Sequence, residues 1–358
     1  MSSPLLSLPG AVPAPPESVD AGVAWHHGDP FAEQRAADRA AVVVDRSHRD
    51  VLTVPGADRL AWLHSLTTQH LTALADGTAT EALLLDANGR VERHLVLAEA
   101  GGRVWLDTEP GHGAPLLSYL ESMRFWSDVA PAAAEYGLLS VLGPATGEVL
   151  RSAGLPAPGD GHAAGAEEIL VRRRRWLGGL DTADLLVPRA GLGQWWSRLV
   201  TAGAGPAGTL AYEALRVAAL RPRLGVDTDQ RTIPHEVGWI GGAVHLDKGC
   251  YRGQETVARV SNLGRPPRRM VLLHLDGSSD ALPSIGDEVQ WDGRAVGRVG
   301  TVAQHHELGP VALALLKRTV PVDARLAAAG CAAAVDPDSV PPETGEPAGR
   351  AALRRLGR

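Results

Sequence analysis

Short apolar runs broken by turn residues dominate the first third of the chain and limit the folds open to it. Residues 41–44, 51–54 and 82–85 are valine- or leucine-rich runs with the length of strands rather than of helices. Residues 41–44 and 51–54 are close in sequence, so we expect them to pair. Helical spacing follows Asp58 and returns at 116–123. This order, without long parallel crossovers, predicts an α+β fold with an antiparallel sheet and helices on one face.

Two dipeptides mark hairpin turns. Asn88-Gly89 separates the run 82–85 from 91–98, and this pair favours a turn with positive φ at both central residues. Asp292-Gly293 gives the same signal near the C-terminus. Around it lie four more strand-length runs, which predict a small antiparallel barrel or sandwich: 270–275, 288–291, 297–302 and 311–316.

Cys250 is one of only two cysteines in the chain and has charged neighbours. Lys248 precedes it by two residues and Arg252 follows by two, and residues two apart in an extended segment point the same way. Nearby positive charge favours the thiolate, which is the better nucleophile and metal ligand. Gly249 and Gly253 would allow a tight turn or close approach of a ligand. We therefore interpret Cys250 as functional.

The remaining motif residues strengthen this contrast with an ordinary core cysteine. Tyr251, Gln254 and Glu255 add a phenol, an amide and a carboxylate to the same stretch. A free cysteine is otherwise most often a small buried hydrophobic residue. Cys331 lies in an alanine-rich run without a nearby charge, and we interpret it as structural.

The octapeptide at 248–255, Lys-Gly-Cys-Tyr-Arg-Gly-Gln-Glu, resembles the signature of the YgfZ-type folate-binding proteins. These proteins are relatives of the glycine-cleavage T-protein, an aminomethyltransferase, and their family is tied to iron–sulfur cluster assembly and repair. The resemblance continues through 216–225, 232–236 and 256–259 and is sharpest over 212–270.

The resemblance implies a T-protein-like fold of two α+β folate-binding units and a C-terminal antiparallel β-barrel. The expected segments are a disordered leader at 1–20, a first unit at 21–135, a second unit with the cysteine motif at 136–265, the barrel at 266–335 and a disordered tail at 336–358.

The resemblance also implies tetrahydrofolate, or a one-carbon derivative of it, as the cofactor. An acidic folate tail needs cations, which Arg216, Arg221 and Arg223 could supply. The pterin edge needs carboxylates or amides, for which Asp227 and Glu236 are candidates. Trp239 completes the expected cofactor-binding set. Cys250, assisted by Lys248, would carry out thiol chemistry beside the folate.

The chain departs from the T-protein at the catalytic step. The T-protein carries an aspartate pair after the turn that corresponds to Asn88-Gly89, whereas Arg93 and His94 occupy those places here. A cation cannot accept the proton or stabilise the iminium-like species of aminomethyl transfer. The motif that contributes a pterin-binding glutamate is also altered, at 176–181. Whether the chain is an enzyme is therefore left open.

Three functions follow as hypotheses. The first is a folate-binding accessory protein for iron–sulfur cluster assembly or repair, with iron–sulfur enzymes or assembly proteins as partners. The second is a folate-dependent one-carbon transferase that acts on an amine donor or modifies tRNA. The third is a folate-binding scaffold without chemistry.

Composition and motifs exclude several other classes. The formal net charge of −6 argues against bulk attraction to nucleic acid, although tRNA is left open as a partner. The two unlike cysteines indicate a reducing cytoplasm rather than a disulfide framework, and no apolar window reaches membrane-span length. We expect no metal site of the chain's own. The four arginines at 172–175 could form an anion patch, but alternation favours a solvated edge strand.

Overall fold

The computed structural model describes residues 2–278 and 281–340. The chain divides into two compact units. The first contains Met1–His64, Leu71–Glu81 and Leu95–Ala219, and the second contains Ser65–His70, Ala82–His94 and the chain from Leu220 onward. These boundaries differ from the predicted ones because the second unit gathers three separate stretches of sequence. The predicted tail beyond residue 340 lies outside the described residues.

The α-helices of the described residues are short. They are α1 (Pro30–Arg39), α2 (Arg59–Leu66), α3 (Gly113–Ser122), α4 (Thr146–Ser152), α5 (Leu192–Thr201), α6 (Thr209–Ala218) and α7 (Gln254–Leu263). Helix α1 shows how the sequence sets a boundary. The Asp29 carboxylate accepts the backbone N–H groups of Phe31 and Ala32, and Pro30 occupies the first helical position, where no N–H donor is needed.

The strands outnumber the helices. They are β1 (Val12–Pro13), β2 (Ala24–His26), β3 (Val42–Asp45), β4 (Asp50–Pro55), β5 (Thr78–Leu85), β6 (Val91–Ala100), β7 (Arg103–Thr108), β8 (Ala132–Ala133), β9 (Tyr136–Leu142), β10 (Ala163–Ala166), β11 (Ile169–Arg175), β12 (Asp181–Pro188), β13 (Gly205–Ala207), β14 (Arg268–Leu275), β15 (Glu288–Trp291), β16 (Arg294–His305), β17 (Gly309–Lys317), β18 (Leu326–Ala328) and β19 (Cys331–Val335).

The first two predicted strands do not pair with each other. Strand β3 lies inside a six-stranded sheet of order β10-β11-β12-β9-β3-β13, antiparallel to β9 and parallel to β13. Strand β4 belongs to a different sheet, of order β5-β6-β7-β4-β8. All four residues of β3 are buried, and such continuous burial suits a central strand that is covered on both faces. Proximity in sequence was therefore a misleading guide to pairing.

The Asn88-Gly89 hairpin forms between β5 and β6 as predicted, but its turn is of a different kind. Gly89 has φ of +77°, whereas Asn88 is not among the residues with positive φ. The Asp86 carboxylate accepts the N–H groups of Asn88 and Arg90, both at 2.8 Å. This side chain shapes the turn by bonding to the backbone ahead of it.

The arginine run lies on an inner strand, so the prediction of a solvated edge was wrong. Strand β11 pairs with β10 on one side and β12 on the other. Arg172 is completely buried and forms ion pairs with Asp107 and Asp184. The next two arginines pair with carboxylates as well, and only the fourth is exposed. Carboxylates elsewhere in the first unit make burial of this charge possible.

The predicted disordered leader is also ordered. Leu5 lies on a 3-10 helix and is buried in the same core cluster as Trp195 and Trp196 of α5. Ser3 donates its backbone N–H to Gly22 at 2.8 Å, and β1 pairs with β2. The proline-rich composition of the leader predicted disorder, although Leu5 is part of the core of the first unit.

The C-terminal part of the second unit is a closed antiparallel barrel of order β14-β17-β16-β15-β18-β19, which confirms the predicted barrel. Its core includes Val271, Leu273, Leu316 and Cys331. The Cys331 side chain is buried, as predicted for a structural cysteine. The α+β class is confirmed by this barrel together with the mixed helices and sheets of the first unit. No helix among the described residues has the length and apolar character needed to cross a lipid bilayer.

Candidate functional site

The two cysteines of the chain differ sharply in accessibility. Cys250 is exposed, in the loop that precedes α7 of the second unit, whereas Cys331 is buried in the barrel. Buried thiols are inert, and an exposed thiol can meet a substrate or another protein. The structure therefore leaves Cys250 as the only cysteine that reagents can reach in the folded protein.

The chain before Cys250 is supported by a separate stretch of the second unit, residues 65–70. His245 donates its backbone N–H to the carbonyl of Thr68 at 3.0 Å, and the Thr68 hydroxyl donates to the carbonyl of Ala243 at 2.6 Å. The Gln69 amide donates to the carbonyl of Gly242 at 3.0 Å. These bonds give an irregular loop fixed partners, so it can present Cys250 from a defined position.

Lys248 is the second anchor of the loop. Its side chain is buried, its ammonium donates to the carbonyl of Thr67 at 2.5 Å, and it lies 5.0 Å from the centroid of the Tyr251 ring. Burial lowers the pKa of Lys248 to about 8 and raises the pKa of Tyr251 to about 12, since water no longer stabilises the charged forms. Lys248 therefore carries a substantial neutral fraction at mildly alkaline pH.

Lys248, Cys250 and Arg252 do not share one environment. Lys248 is buried, while Cys250 and Arg252 are exposed, and Arg252 lies 3.4 Å from a carboxylate oxygen of Glu92. Side chains two residues apart do not share one face as they would in an extended segment, because the loop turns into helix α7. Gly249 has open space around it and no positive φ, so no steric reason requires glycine there.

Gly253 is required by contact with the β5–β6 hairpin. It has φ of +81° at the start of α7, and a Cβ there would lie 2.5 Å from the carbonyl oxygen of Asp86. Gly89 faces it with φ of +77°, and a Cβ there would lie 2.8 Å from Cβ of Thr256. Neither position has room for a side chain. The hairpin tip and the start of α7 thus fix the C-terminal side of the Cys250 loop.

Gln254 and Glu255 begin the helix. The Gln254 amide donates to the carbonyl of Lys248 at 3.2 Å and so closes the loop around Cys250. Glu255 is exposed in the first turn of α7, where a carboxylate favours the positive end of the helix dipole. The structure thus places the whole motif in one segment, with Cys250 at its exposed part.

His94 and Trp239 form a buried aromatic pair in the same unit. Their ring centroids are 5.0 Å apart and their planes differ by 17°, a stacked arrangement. Arg93 is partly exposed, and its guanidinium donates to the carbonyl of Glu92 at 2.6 Å. A stacked imidazole has a position defined by packing, unlike a catalytic carboxylate that must reach a substrate.

Glu236 is engaged within the protein. Its two oxygens accept hydrogen bonds from the Arg268 guanidinium at 2.9 and 2.8 Å, and one of them also accepts the backbone N–H of Ile233 at 3.1 Å. Arg268 also pairs with Asp229 at 2.6 Å. These contacts favour a structural role for Glu236 in holding the loop before α7 to strand β14. Sequence reasoning missed Arg268, which no local pattern distinguishes from the other arginines.

Asp227 also bonds to the chain itself. One oxygen accepts the backbone N–H of Thr301 at 2.7 Å, and the other accepts the backbone N–H of Arg223 at 2.8 Å. Both Asp227 and Arg223 are buried. The Arg298 guanidinium donates to the carbonyls of Val226 and Thr228, which fixes the same loop to β16. The loop is therefore attached to the barrel through several side chains.

His235 was not singled out as a functional residue, but it contacts the cysteine helix. Its Nε2 lies 2.9 Å from the Ser261 hydroxyl on α7, and its Nδ1 is buried without a partner among the described residues. Burial lowers the pKa of His235 to about 4, so the ring is neutral at physiological pH. A neutral ring that donates through Nε2 to Ser261 leaves only an acceptor unsatisfied at Nδ1, which is the less costly arrangement.

Arg216 lies in the first unit, on α6. It is buried there and pairs with Glu213 at 2.6 Å. Burial of a paired arginine is tolerated when its carboxylate partner accompanies it.

Comparison with known proteins gives one consistent family. The model of the GCVT N-terminal domain family matches residues 24–248, which end within the cysteine motif. The chain is 30% identical to an aminomethyltransferase of Nostoc sp. over 79% of this chain and 78% of that protein. It is 26% identical to a chloroplastic protein of Arabidopsis thaliana, named as a candidate transferase, over 74% of this chain and 62% of that protein's length.

A solved structure shares the fold. The glycine cleavage system aminomethyltransferase T from Bartonella henselae superposes with a TM-score of 0.81 and covers 92% of this chain and 93% of its own. Its sequence identity of 19% makes this a statement about the fold. The predicted T-protein-like architecture is confirmed by this match.

Proposed function

Since the chain belongs to the family of the GCVT N-terminal domain, we propose that it is a folate-binding accessory protein for iron–sulfur cluster assembly or repair. The observation that carries this proposal is the exposed Cys250 in a loop held on both sides. An accessible sulfur in a fixed position can react with a small molecule or with a second protein. The resemblance of residues 248–255 to the YgfZ-type signature supports this role over glycine cleavage.

We propose a folate pocket on residues that the resemblance indicated, but we assign some of them different roles from those expected. Arg223 is proposed for the acidic tail and Trp239 for the flat pterin, both in the second unit, whereas Arg216 belongs to the first unit and is not assigned to this pocket. Asp227 and Glu236 already accept internal hydrogen bonds, so we expect them to shape the pocket wall rather than bind the pterin alone. The ligand is tetrahydrofolate or a one-carbon derivative.

Cys250 can support three kinds of chemistry. It can take up a one-carbon unit as the folate nitrogen leaves, exchange with a client protein's disulfide that releases one of its sulfurs as a thiol, or ligate iron as a thiolate during transfer to a client. Each of these reactions needs an accessible sulfur. Buried Lys248 stabilises the loop that carries this sulfur through its hydrogen bond to the carbonyl of Thr67. The proposed partners are iron–sulfur enzymes or their assembly proteins, and the proposed location is the cytoplasm.

The transferase hypothesis is the alternative, and it is compatible with the curated relatives named as aminomethyltransferases. The stacking of His94 on Trp239 argues against the transferase hypothesis. Residues 93–94 are where the resemblance places catalytic carboxylates, and a buried imidazole cannot supply the negative charge that aminomethyl transfer needs.

The deciding experiment is complementation of cells that lack the native gene. Wild type, Cys250→Ser and Cys331→Ala are expressed at equal levels, and iron–sulfur enzymes are assayed beside cluster-free enzymes. We expect wild type and Cys331→Ala to restore the cluster enzymes and Cys250→Ser to fail. Equal restoration by Cys250→Ser would overturn the role of the thiol and leave a folate-binding scaffold.

Two measurements on purified protein separate the remaining hypotheses. Calorimetric titration with tetrahydrofolate tests binding, and Trp239→Leu should weaken it. Labelled methylene-tetrahydrofolate, incubated with amine acceptors and with tRNA, tests transfer. Turnover of label into an acceptor would favour the transferase, whereas the absence of folate binding would contradict the folate-based hypotheses altogether.

A further inference from the structure

Two exposed histidines lie side by side on the segments that support the Cys250 loop. His70 ends the supporting stretch, and His245 lies five residues before Cys250. Their ring centroids are 5.4 Å apart, and the ring planes are inclined by 47°. Both side chains are exposed, so an ion from solution can reach them.

The backbones of the two histidines are fixed relative to each other. The N–H of His245 donates to the carbonyl of Thr68 at 3.0 Å, two residues before His70. The N–H of His70 donates to the Gln69 side chain at 3.0 Å, and the Gln69 amide donates to the carbonyl of Gly242 at 3.0 Å. The two side chains therefore start from neighbouring, fixed backbone positions without help from an ion, which lowers the entropic cost of binding one.

The separation of the rings matches that of two imidazoles on one metal ion. Histidine nitrogens lie ~2.1 Å from zinc, so two of them at a tetrahedral angle are ~3.4 Å apart. Rings with centroids 5.4 Å apart can bring one nitrogen each to that separation by rotation about the side-chain bonds. Inclined rings also avoid the clash that coplanar rings would suffer at a shared ion.

We propose that His70 and His245 form a binding site for a divalent transition-metal ion such as Zn²⁺, Co²⁺ or Fe²⁺. Imidazole ligands suit these ions, whereas Mg²⁺ and Ca²⁺ prefer oxygen. The other coordination positions are open to water. This proposal replaces the expectation of no metal site and does not depend on folate binding.

The test is titration of the full-length protein with Co²⁺ and Zn²⁺, without folate. Cobalt absorption reports the ligand types, and calorimetry reports affinity. His70→Gln and His245→Gln should each weaken binding by at least about tenfold, because loss of a direct ligand costs no less than loss of a residue that only orients a ligand. His162→Gln is the matched control, since His162 is also exposed but belongs to the first unit.

The outcomes are distinct. Unchanged affinity in both His70→Gln and His245→Gln overturns the site. Binding that disappears only in Cys250→Ser, with a thiolate-to-cobalt band, assigns the ion to the cysteine and also overturns the histidine pair. Equal metal-free melting temperatures of all variants exclude unfolding as the cause. A failure of folate titration leaves these results unchanged, so the two proposals fail separately.

Discussion

Two segments that contain positive charge, residues 172–175 and 248–252, each bury one cation but give it different partners. In the first segment Arg172 is buried between the carboxylates of Asp107 and Asp184. In the second segment Lys248 is buried against a backbone carbonyl and an aromatic ring. Burial by itself lowers the pKa of both cations, but the carboxylates reverse this effect and raise the pKa of Arg172.

This difference shows that the partners of a buried cation determine whether it stays charged. Arg172 is locked in the charged form and serves as part of the first unit's core. Lys248 can lose its proton at mildly alkaline pH, so its contribution to stability depends on pH. The charge of the second segment therefore depends more on pH than the charge of the first, and the second segment contains Cys250.

The largest expected effect is at Arg172. Arg172→Ala removes the cation shared by buried Asp107 and half-buried Asp184, which keep Arg49 and Arg46 as partners, and we expect a loss of about 3 kcal/mol in the free energy of unfolding. Arg175→Ala is the matched control on the same strand, because Arg175 is exposed, and it should change stability by less than about 0.5 kcal/mol. Urea unfolding measures both. Similar losses in the two variants would break the comparison.

The next effect is at the hairpin that holds the Cys250 loop. Gly89→Ala introduces a methyl group against Thr256 at a positive φ, and we expect a loss of roughly 1–3 kcal/mol. Gly101→Ala is the control, because Gly101 has φ of +61° but open space around it. The iodoacetamide alkylation rate of Cys250 should change in Gly89→Ala alone. An unchanged rate would show that the hairpin does not position the loop.

A smaller effect concerns pH. The pKa of Lys248 is lowered from 10.5 to about 8, so in this range the unfolded chain binds more protons than the folded one. Unfolding free energy should therefore rise between pH 8 and 10.5 through this residue, by an amount on the order of 1 kcal/mol. Lys248→Met should remove the rise, whereas Lys317→Met, at the only other lysine, should retain it. A rise that persists in Lys248→Met would contradict the assignment.

The smallest effect is at Arg252. Its pair with Glu92 is exposed and 3.4 Å long, so Arg252→Gln should cost less than about 0.5 kcal/mol. The same should hold for Glu92→Gln, and the double variant should show no further loss. Thermal unfolding at low and high salt tests this. A loss above 1 kcal/mol would mean that the second segment contains a structural ion pair like the first.

The sequence predicted those features that depend on local pattern. The barrel strands were found because strand-length apolar runs alternate with turn residues, and the hairpin was found from Asn88-Gly89. The contrast between Cys250 and Cys331 followed from their neighbours alone. Each of these needs only a few adjacent residues to be specified.

The features that were missed depend on partners far along the chain. Lys248 meets Thr67 across 181 residues, and Glu236 meets Arg268 across 32. Strand β3 pairs with β9, almost 100 residues later, instead of its neighbour β4. Charge and hydrophobicity indicate that a partner is needed, but a single sequence does not say which residue supplies it.

The buried position of Cys331 makes its thiol a probe of how often the barrel opens. Its sulfur lies inside the barrel, 3.6 Å from the carbonyl oxygen of Asp276. A reagent can reach it only when the barrel opens locally, so the slow appearance of a second modified sulfur measures how often the barrel opens. That frequency can be followed in the unaltered chain, with the fast reaction at Cys250 as the reference for an always accessible site.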